Sequence, residues 1–335
     1  MVLGIVIFYL VPGLIVAEIL RCVCLEHRRD RIPILLYHRL VSRGDVAAGR
    51  VPDHEPIYVS YDDTFAAQMN FLRQQGFTTL HLDELLAIRQ GSVARPARPV
   101  VLTFDDGYAS NYTLAWPILR RLGLKATIFV APRPDDYTRN RVAGLDGFLD
   151  EAQMRALDAG GVAIESHTLT HCVLSDLDGA AARYELSESR RVLERILGRP
   201  VRHLAVPRSG HSRRIRSLAK GEGYRTVCSN GKGSSNGWSD LHALPRIVIE
   251  RDTTLQDFSL ALGPRRAVVL RLVGNLKRIP ALVFGTTRTQ MIRRVLYGSP
   301  VGSWFQTRRL VRGLAFIAAL YATAIVVFTW YLVTR

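Results

Sequence analysis

Cysteine is scarce: four residues scattered through 335 are too few for a small disulfide-stapled scaffold. Polar composition does not dominate either, because 48% of the residues are hydrophobic, which excludes a disordered tail protein. Acid is missing from one long stretch. Between residues 258 and 335 there is no Asp or Glu, whereas the same stretch carries 12 Lys and Arg. Those 12 make up most of the formal net charge of +16, so the chain before them is nearly balanced. The basic tail has no interleaved aromatics of a stacking surface and no recognisable reading motif, which argues against nucleic acid as a partner. There is no internal repeat and no low-complexity linker. What remains is a length that suits one large domain or two ordinary ones with a sizeable core.

The basic stretch leads into an uncharged one. Residues 313–334 carry no charge and are rich in Ala, Ile, Val, Phe and Leu, which predicts a transmembrane helix with Trp330 and Tyr331 at its interface. Residues 1–20 are also apolar, though shorter and interrupted by Pro12 and Gly13. Lacking a basic leader and a small-residue cleavage site, they read as an uncleaved membrane segment rather than a signal peptide. A basic linker, residues 21–31, follows with Arg21, Arg28, Arg29 and Arg31. Arg308, Arg309 and Arg312 precede the last span. Positive charge collects on the cytoplasmic side, so the central body is expected to face the cytoplasm from the inner or plasma membrane, with a periplasmic or extracellular placement as the alternative. Residues 259–312 form a basic membrane-proximal region, in which 268–276 and 279–284 mix apolar residues with Arg and Lys in a manner suited to anionic lipid.

The body, residues 32–258, alternates short apolar runs with helical patterns. Strands are predicted at 34–37, 100–104, 126–130, 162–165, 204–206, 226–228 and 247–249. Between them Phe65, Met69 and Leu72 repeat at helical spacing and stop at Gly76. Leu114, Ile118 and Leu122 do the same, with Ser110 as N-cap and Gly123 as the stop, and Leu186, Leu193 and Leu197 line a third helix. Such alternation predicts an α/β fold, a parallel (β/α) barrel or a distorted relative.

Reactive residues of a parallel barrel stand at the C-terminal ends of its strands. Three predicted strand ends carry unusual polar groups: His38 after the first, Asp105 and Asp106 after the second, His167 and His171 after a later one. Adjacent carboxylates diverge, so Asp105 and Asp106 can take different tasks. Taken alone, an Asp-Asp-Gly turn serves capping as well as chemistry. Two histidines four apart can converge on one metal, and with Asp106 they leave coordination positions open, as a catalytic ion requires. A divalent ion there would acidify water and polarise a carbonyl, which suits hydrolysis of an unreactive amide.

The sequence from Thr103 through Phe104, Asp105 and Asp106 to Gly107, together with His167 and His171 around Thr168, Leu169 and Thr170, resembles the polysaccharide deacetylase (NodB-homology) domains of carbohydrate esterase family 4. The likeness extends over residues 32–258 and includes the segments at 33–39, 127–130, 198–200, 223–224 and 244–247. It implies a deformed, NodB-type barrel that removes acetyl from an N-acetylated sugar with a divalent metal, often Zn2+. By position, Asp106, His167 and His171 match the metal ligands, and Asp105 matches the general base. Tyr37 and His38 resemble the branch that includes poly-N-acetylglucosamine deacetylases, in which this histidine is the general acid; a leaving amine needs such a proton donor.

Two departures bear on the substrate. Residues 205–210 replace a family segment that often supplies an aromatic wall, and Arg208 there is a candidate for an acidic substrate group such as phosphate, or else an exposed loop residue. No Leu-x-His motif occurs near the C-terminus, which strengthens His38 as the acid or else weakens activity. Trp238 is a candidate aromatic contact to the sugar. The expected protein is thus a membrane-anchored N-deacetylase whose partners are an N-acetylated glycan or lipid-linked sugar and membrane lipid. The rival reading is a catalytically silent glycan- or lipid-binding module of a polysaccharide synthesis complex.

Overall fold

Apolar runs without a polar face become strands buried on both sides. The computed structural model describes residues 11–50, 59–135, 147–209 and 212–276, and each of the seven predicted strand segments forms one. In chain order the elements begin with helix α1 (Val11–Glu26), strands β1 (Ile34–Tyr37) and β2 (Arg39–Val41), and the short helix α2 (Arg43–Ala47). Next come β3 (Val59–Tyr61), α3 (Asp62–Gln74), β4 (Thr78–Leu80), α4 (Leu82–Arg89) and β5 (Pro99–Phe104). A π turn (Asn111–Ala115) runs into α5 (Trp116–Leu122), followed by β6 (Ala126–Val130), α6 (Glu151–Ala159), β7 (Val162–Ser166) and α7 (Gly179–Leu197). The last elements are β8 (His203–Ala205), α8 (Arg213–Gly221), β9 (Thr226–Lys232), β10 (Leu244–Val248), α9 (Leu255–Leu262) and α10 (Pro264–Leu276).

β1, β10, β9, β8, β7, β6 and β5 pair in parallel in that order, and β5 pairs back onto β1 from Ile34 beside Val101 to Tyr37 beside Phe104. Seven strands therefore close a parallel barrel. The closure is irregular at β5: β4 pairs with its first half, Thr78 beside Pro99, and β6 with its second, Thr103 beside Thr127. β2 and β3 form a separate parallel pair.

Helix α4 shapes the barrel's N-terminal end. Leu82 and Leu85 bury against Ile34, Val101, Phe129, Ala205, Cys228 and Leu244 from the strands, with Ile88 alongside. Its first turn reaches the rim, since Lys125 before β6 donates to Glu84 at 2.7 Å and Arg202 before β8 donates to Asp83 at 3.2 Å. The helix thus plugs one end and leaves the other to chemistry. Each such Leu contributes on the order of 2 kcal/mol by leaving water.

The predicted helix patterns hold with one revision. Phe65, Met69 and Leu72 are fully buried on α3, and Gly76 ends the turn at φ +69°. Ser110 is not an N-cap: its own backbone is helical, and its hydroxyl accepts instead from the Leu40 amide at 3.2 Å.

Residues 23–267 form one compact unit, within which the predicted body lies; residues 1–22 and 268–335 form another. In the latter, Asn275 Nδ2 donates to Glu18 at 2.7 Å, and Leu14, Ile15, Val16 and Leu20 of α1 are exposed. Among the described residues no helix is long and apolar enough to cross a membrane. The predicted span at 313–334, residues 1–10 of the first membrane segment and residues 277–312 of the basic region lie outside the described residues.

Candidate active site

The C-terminal ends of β1, β5 and β7, with the middle of β10, bring His38, Asp105, Asp106, His167, His171 and Arg246 to one place. After β5 the chain turns sharply. Asp106 sits at φ 74° and Gly107 at φ 76°, where a Cβ would stand 3.0 Å from Val130 Cγ1, so the second position requires glycine. After β7 the backbone coils, with Thr168 at φ 66° and His171 at φ 67°. Among the described residues, the non-glycine positions in left-handed conformation are these three and Arg208, and all follow strand C-terminal ends. Strain of this kind persists only where surrounding bonds over-determine the loop.

Those bonds are present. The buried Glu185 carboxylate on α7 accepts from the Leu169 and Thr170 amides, each at 3.0 Å, and from the Thr170 hydroxyl at 2.8 Å. One turn along, Ser189 Oγ donates to Thr168 O at 3.1 Å and pairs with Ser166 Oγ, which also accepts from the Tyr224 hydroxyl. Thr168 Oγ1 accepts from the His171 amide at 3.1 Å. A buried polar network under α7 therefore fixes the histidine loop.

Both imidazoles aim at one carboxylate oxygen. His167 Nε2 is 3.2 Å and His171 Nε2 3.0 Å from Asp106 Oδ1, and ligand atoms of all three lie within 4.8 Å of one another. His167 Nδ1 donates to Ala205 O at 2.8 Å, which leaves the lone pair of neutral His167 on Nε2. In that neutral form two lone-pair atoms face each other across 3.2 Å, which either a proton on Nε2 or a cation between them resolves. The electrostatics agree. Burial opposes the charged forms, yet it is outweighed: the Asp105 and Asp106 carboxylates raise His167, and hydrogen bonds from both histidines hold Asp106 well below the usual carboxylate range. With two nitrogens and one carboxylate oxygen, the donor set fits a divalent metal with open positions.

Asp105 points elsewhere. Arg246 Nη1 and Nη2 grip its two oxygens, each at 2.7 Å, and both side chains are almost completely buried. Burial would raise the Asp105 carboxyl; the guanidinium overrides it and lowers it. The sequence reading missed Arg246 as a site residue. Its signal was a lone charged residue in the apolar run of β10, because a buried arginine must have a partner. Glu185 was missed for the opposite reason, being one acid among several on an amphipathic helix.

His38 follows β1 and is half-buried. Its carbonyl accepts from Asn111 Nδ2 at 2.8 Å, and burial lowers its imidazole pKa against the pull of the Asp106 and Asp105 charges. Tyr37 belongs to the core: its hydroxyl donates to Gln68 at 2.8 Å and its ring stacks on Phe104. Arg208 stands exposed after β8, at φ 50°, on the same end of the barrel as the triad. Trp238 does not join them. It lies beside Arg28, before β1, with the guanidinium 4.0 Å above its ring, while Arg89 at the end of α4 holds the neighbouring Gly237 carbonyl. The loop between β9 and β10 returns to the N-terminal end of the barrel, and that return carries Trp238 away from the triad.

A family model described as polysaccharide deacetylase matches residues 92–227. YxkH of Bacillus subtilis is 28% identical over 219 residues, which cover 65% of this chain and 71% of that protein. Poly-beta-1,6-N-acetyl-D-glucosamine N-deacetylase of Escherichia coli K12 is 40% identical over 53 residues, 16% of this chain and 8% of that one. Among solved structures, the deacetylase PplD of Streptococcus pyogenes in complex with acetate superposes with a TM-score of 0.62 at 22% identity, covering 71% of this chain and all of that one. The matched segment contains Asp105, Asp106, His167 and His171, so these site residues fall inside the region that is similar to polysaccharide deacetylases.

Proposed function

We propose that this protein is a metal-dependent hydrolase that removes N-acetyl groups from the amino sugars of a polysaccharide or lipid-linked glycan at a membrane. The single observation that carries the reading is the separation of two adjacent carboxylates: Asp106 faces two imidazoles, while Asp105 is held ionised by Arg246. Asp106, His167 and His171 would hold the metal, zinc by the donor set. Bound there, the ion supplies Lewis-acid polarisation of the acetyl carbonyl and acidifies water. Asp105 accepts the proton of the attacking water, and Arg246 keeps it available for that task. His38 delivers a proton to the departing nitrogen as the amide C–N bond breaks, giving acetate and a free amine. Burial makes protonated His38 a stronger acid than free imidazole. Arg208 on the rim is placed for an acidic group on the glycan.

In this reading the apolar segments at 1–20 and 313–334 are the anchors in the inner or plasma membrane, and the Arg flanks favour a cytoplasmic catalytic unit. Cys24, which is exposed, reports that placement better than Cys172 or Cys228, whose thiols burial pushes up to about 12. Labelling of Cys24 by a membrane-impermeant reagent in intact cells would reject the cytoplasmic side. The chemistry is tested by acetate release from N-acetylated oligosaccharides with added zinc. Wild type should release acetate and Asp105→Asn almost none; equal release from both would refute the assignment and favour the silent binding module.

A further inference from the structure

Both flanks of the catalytic unit leave it at the same end. The chain enters β1 at its N-terminal end through residues 23–31. After α9 it returns there, because Arg31 Nη2 donates to the Leu262 carbonyl at 2.6 Å. The metal triad follows the C-terminal ends of β5 and β7, at the opposite end. With the seven-residue β9 as the measure, the two ends are about 20 Å apart.

The end at which the flanks leave has a surface of its own. Trp238 is 67% exposed and Val93 52% exposed. Arg28 stacks on Trp238, the exposed Arg95 donates to the Arg31 carbonyl at 2.9 Å, and exposed Arg29 lies between them in sequence. The ion pairs here cancel on both sides, Asp30 with Arg28, Glu26 with Arg31 and Asp240 with Arg216, so the excess positive charge of this face is carried by arginines outside them, such as Arg29 and Arg95. A rim of arginines around an exposed indole and valine suits the headgroup region of an anionic bilayer.

We propose that this N-terminal face of the barrel lies on the membrane, so that the triad opens away from the lipid and the substrate is a glycan chain that projects from the surface, not a sugar held at the headgroups. The proposal rests on the membrane anchoring inferred above and adds an orientation to it.

The test uses the full chain loaded with zinc and reconstituted in vesicles of phosphatidylcholine and phosphatidylglycerol with brominated acyl chains. Flotation with the vesicles is read first, because a chain that stays behind refutes the anchoring itself. In floating protein, Trp238→Phe should remove part of the bromine-quenched emission, leaving the part that belongs to Trp330 at the end of the 313–334 span. Asp252 is 91% exposed in its side chain and follows β10 at the triad end; Asp252→Trp in the Trp238→Phe background should add emission that bromine does not quench. Floating protein with unquenched Trp238, or with a quenched indole at position 252, overturns the orientation alone. Unchanged thermal transitions of both variants establish that they fold. Acetate release from a long lipid-tethered oligosaccharide should exceed that from a single lipid-tethered N-acetyl sugar at least tenfold, and equal rates overturn the substrate class.

Discussion

Replacing Arg246 by methionine isolates the electrostatic core of the site. The guanidinium makes two 2.7 Å bonds to Asp105, in a place where Arg246 is 1% and Asp105 3% exposed. Removing one partner of a buried pair leaves an uncompensated charge and costs about 3–5 kcal/mol. For a unit of this size that lowers Tm by on the order of 10 °C. The carboxylate also responds. Without the guanidinium, burial favours the protonated form of Asp105 and is opposed only by the charges of His167 and His38. The base is then neutral over a wider range, and the acidic limb of kcat/KM moves to higher pH. Wild-type stability follows the opposite sign: with Asp105 depressed, the pair stabilises above the unfolded carboxylate value of about 3.9 and is lost as pH falls through the folded one. Urea unfolding of wild type, Arg246→Met, Asp105→Asn and the double variant completes a thermodynamic cycle. The double variant should recover most of the stability lost in Arg246→Met, because no unpaired charge remains. A double variant as unstable as the sum of the single ones, with an unmoved acidic limb, would refute the reasoning.

Three further outcomes are expected. Glu185→Ala, which strips the acceptors from the Leu169 and Thr170 amides, should weaken zinc binding about 10–100-fold by competition with a chelating dye, and unchanged affinity would contradict the positioning role. His38→Gln should lower kcat by about 10²–10⁴-fold and abolish an alkaline limb that, in wild type, lies below the ordinary imidazole value because burial depresses His38. Asp83 is lowered to about 2, chiefly by its hydrogen bond to His203, so it stabilises above about pH 4 and that contribution fades toward pH 2. Since Asp83 is nearly half exposed, Asp83→Asn should cost less than about 1 kcal/mol at pH 7 and nothing near pH 2, read from urea midpoints at the two values.

The seven barrel strands were legible because each is an apolar run buried on both faces, and burial of that kind leaves a direct imprint on composition. β10 was legible only in part: it starts at Leu244, three residues before the predicted run, because Pro245 and Arg246 mask it. The triad was legible too, as the two histidines are close in sequence and the adjacent carboxylates follow an apolar strand. Its supports were not. Arg246 meets Asp105 across 141 residues, and Glu185 on α7 reaches the loop residue Thr170 across 15, separations at which spacing carries no signal. Trp238 shows the converse failure. Its residue type suggested a sugar platform, but the path of the loop between β9 and β10 decides where an aromatic ends up. The role of α4 as a plug was equally hidden, since Leu82, Leu85 and Ile88 form an ordinary helical stripe until the strands are closed around them.

The central claim is that one metal site, served by Asp105 and His38, cleaves the acetamide of an amino sugar. Its most direct measurement is acetate release by the full chain, stripped with a chelator and titrated with zinc against an N-acetylated glucosamine oligosaccharide. Acetate and free amine should appear in equal amounts, and the rate should rise linearly to one equivalent of metal and then level off. Absence of acetate at every zinc loading, with the metal shown to be bound, would contradict the account.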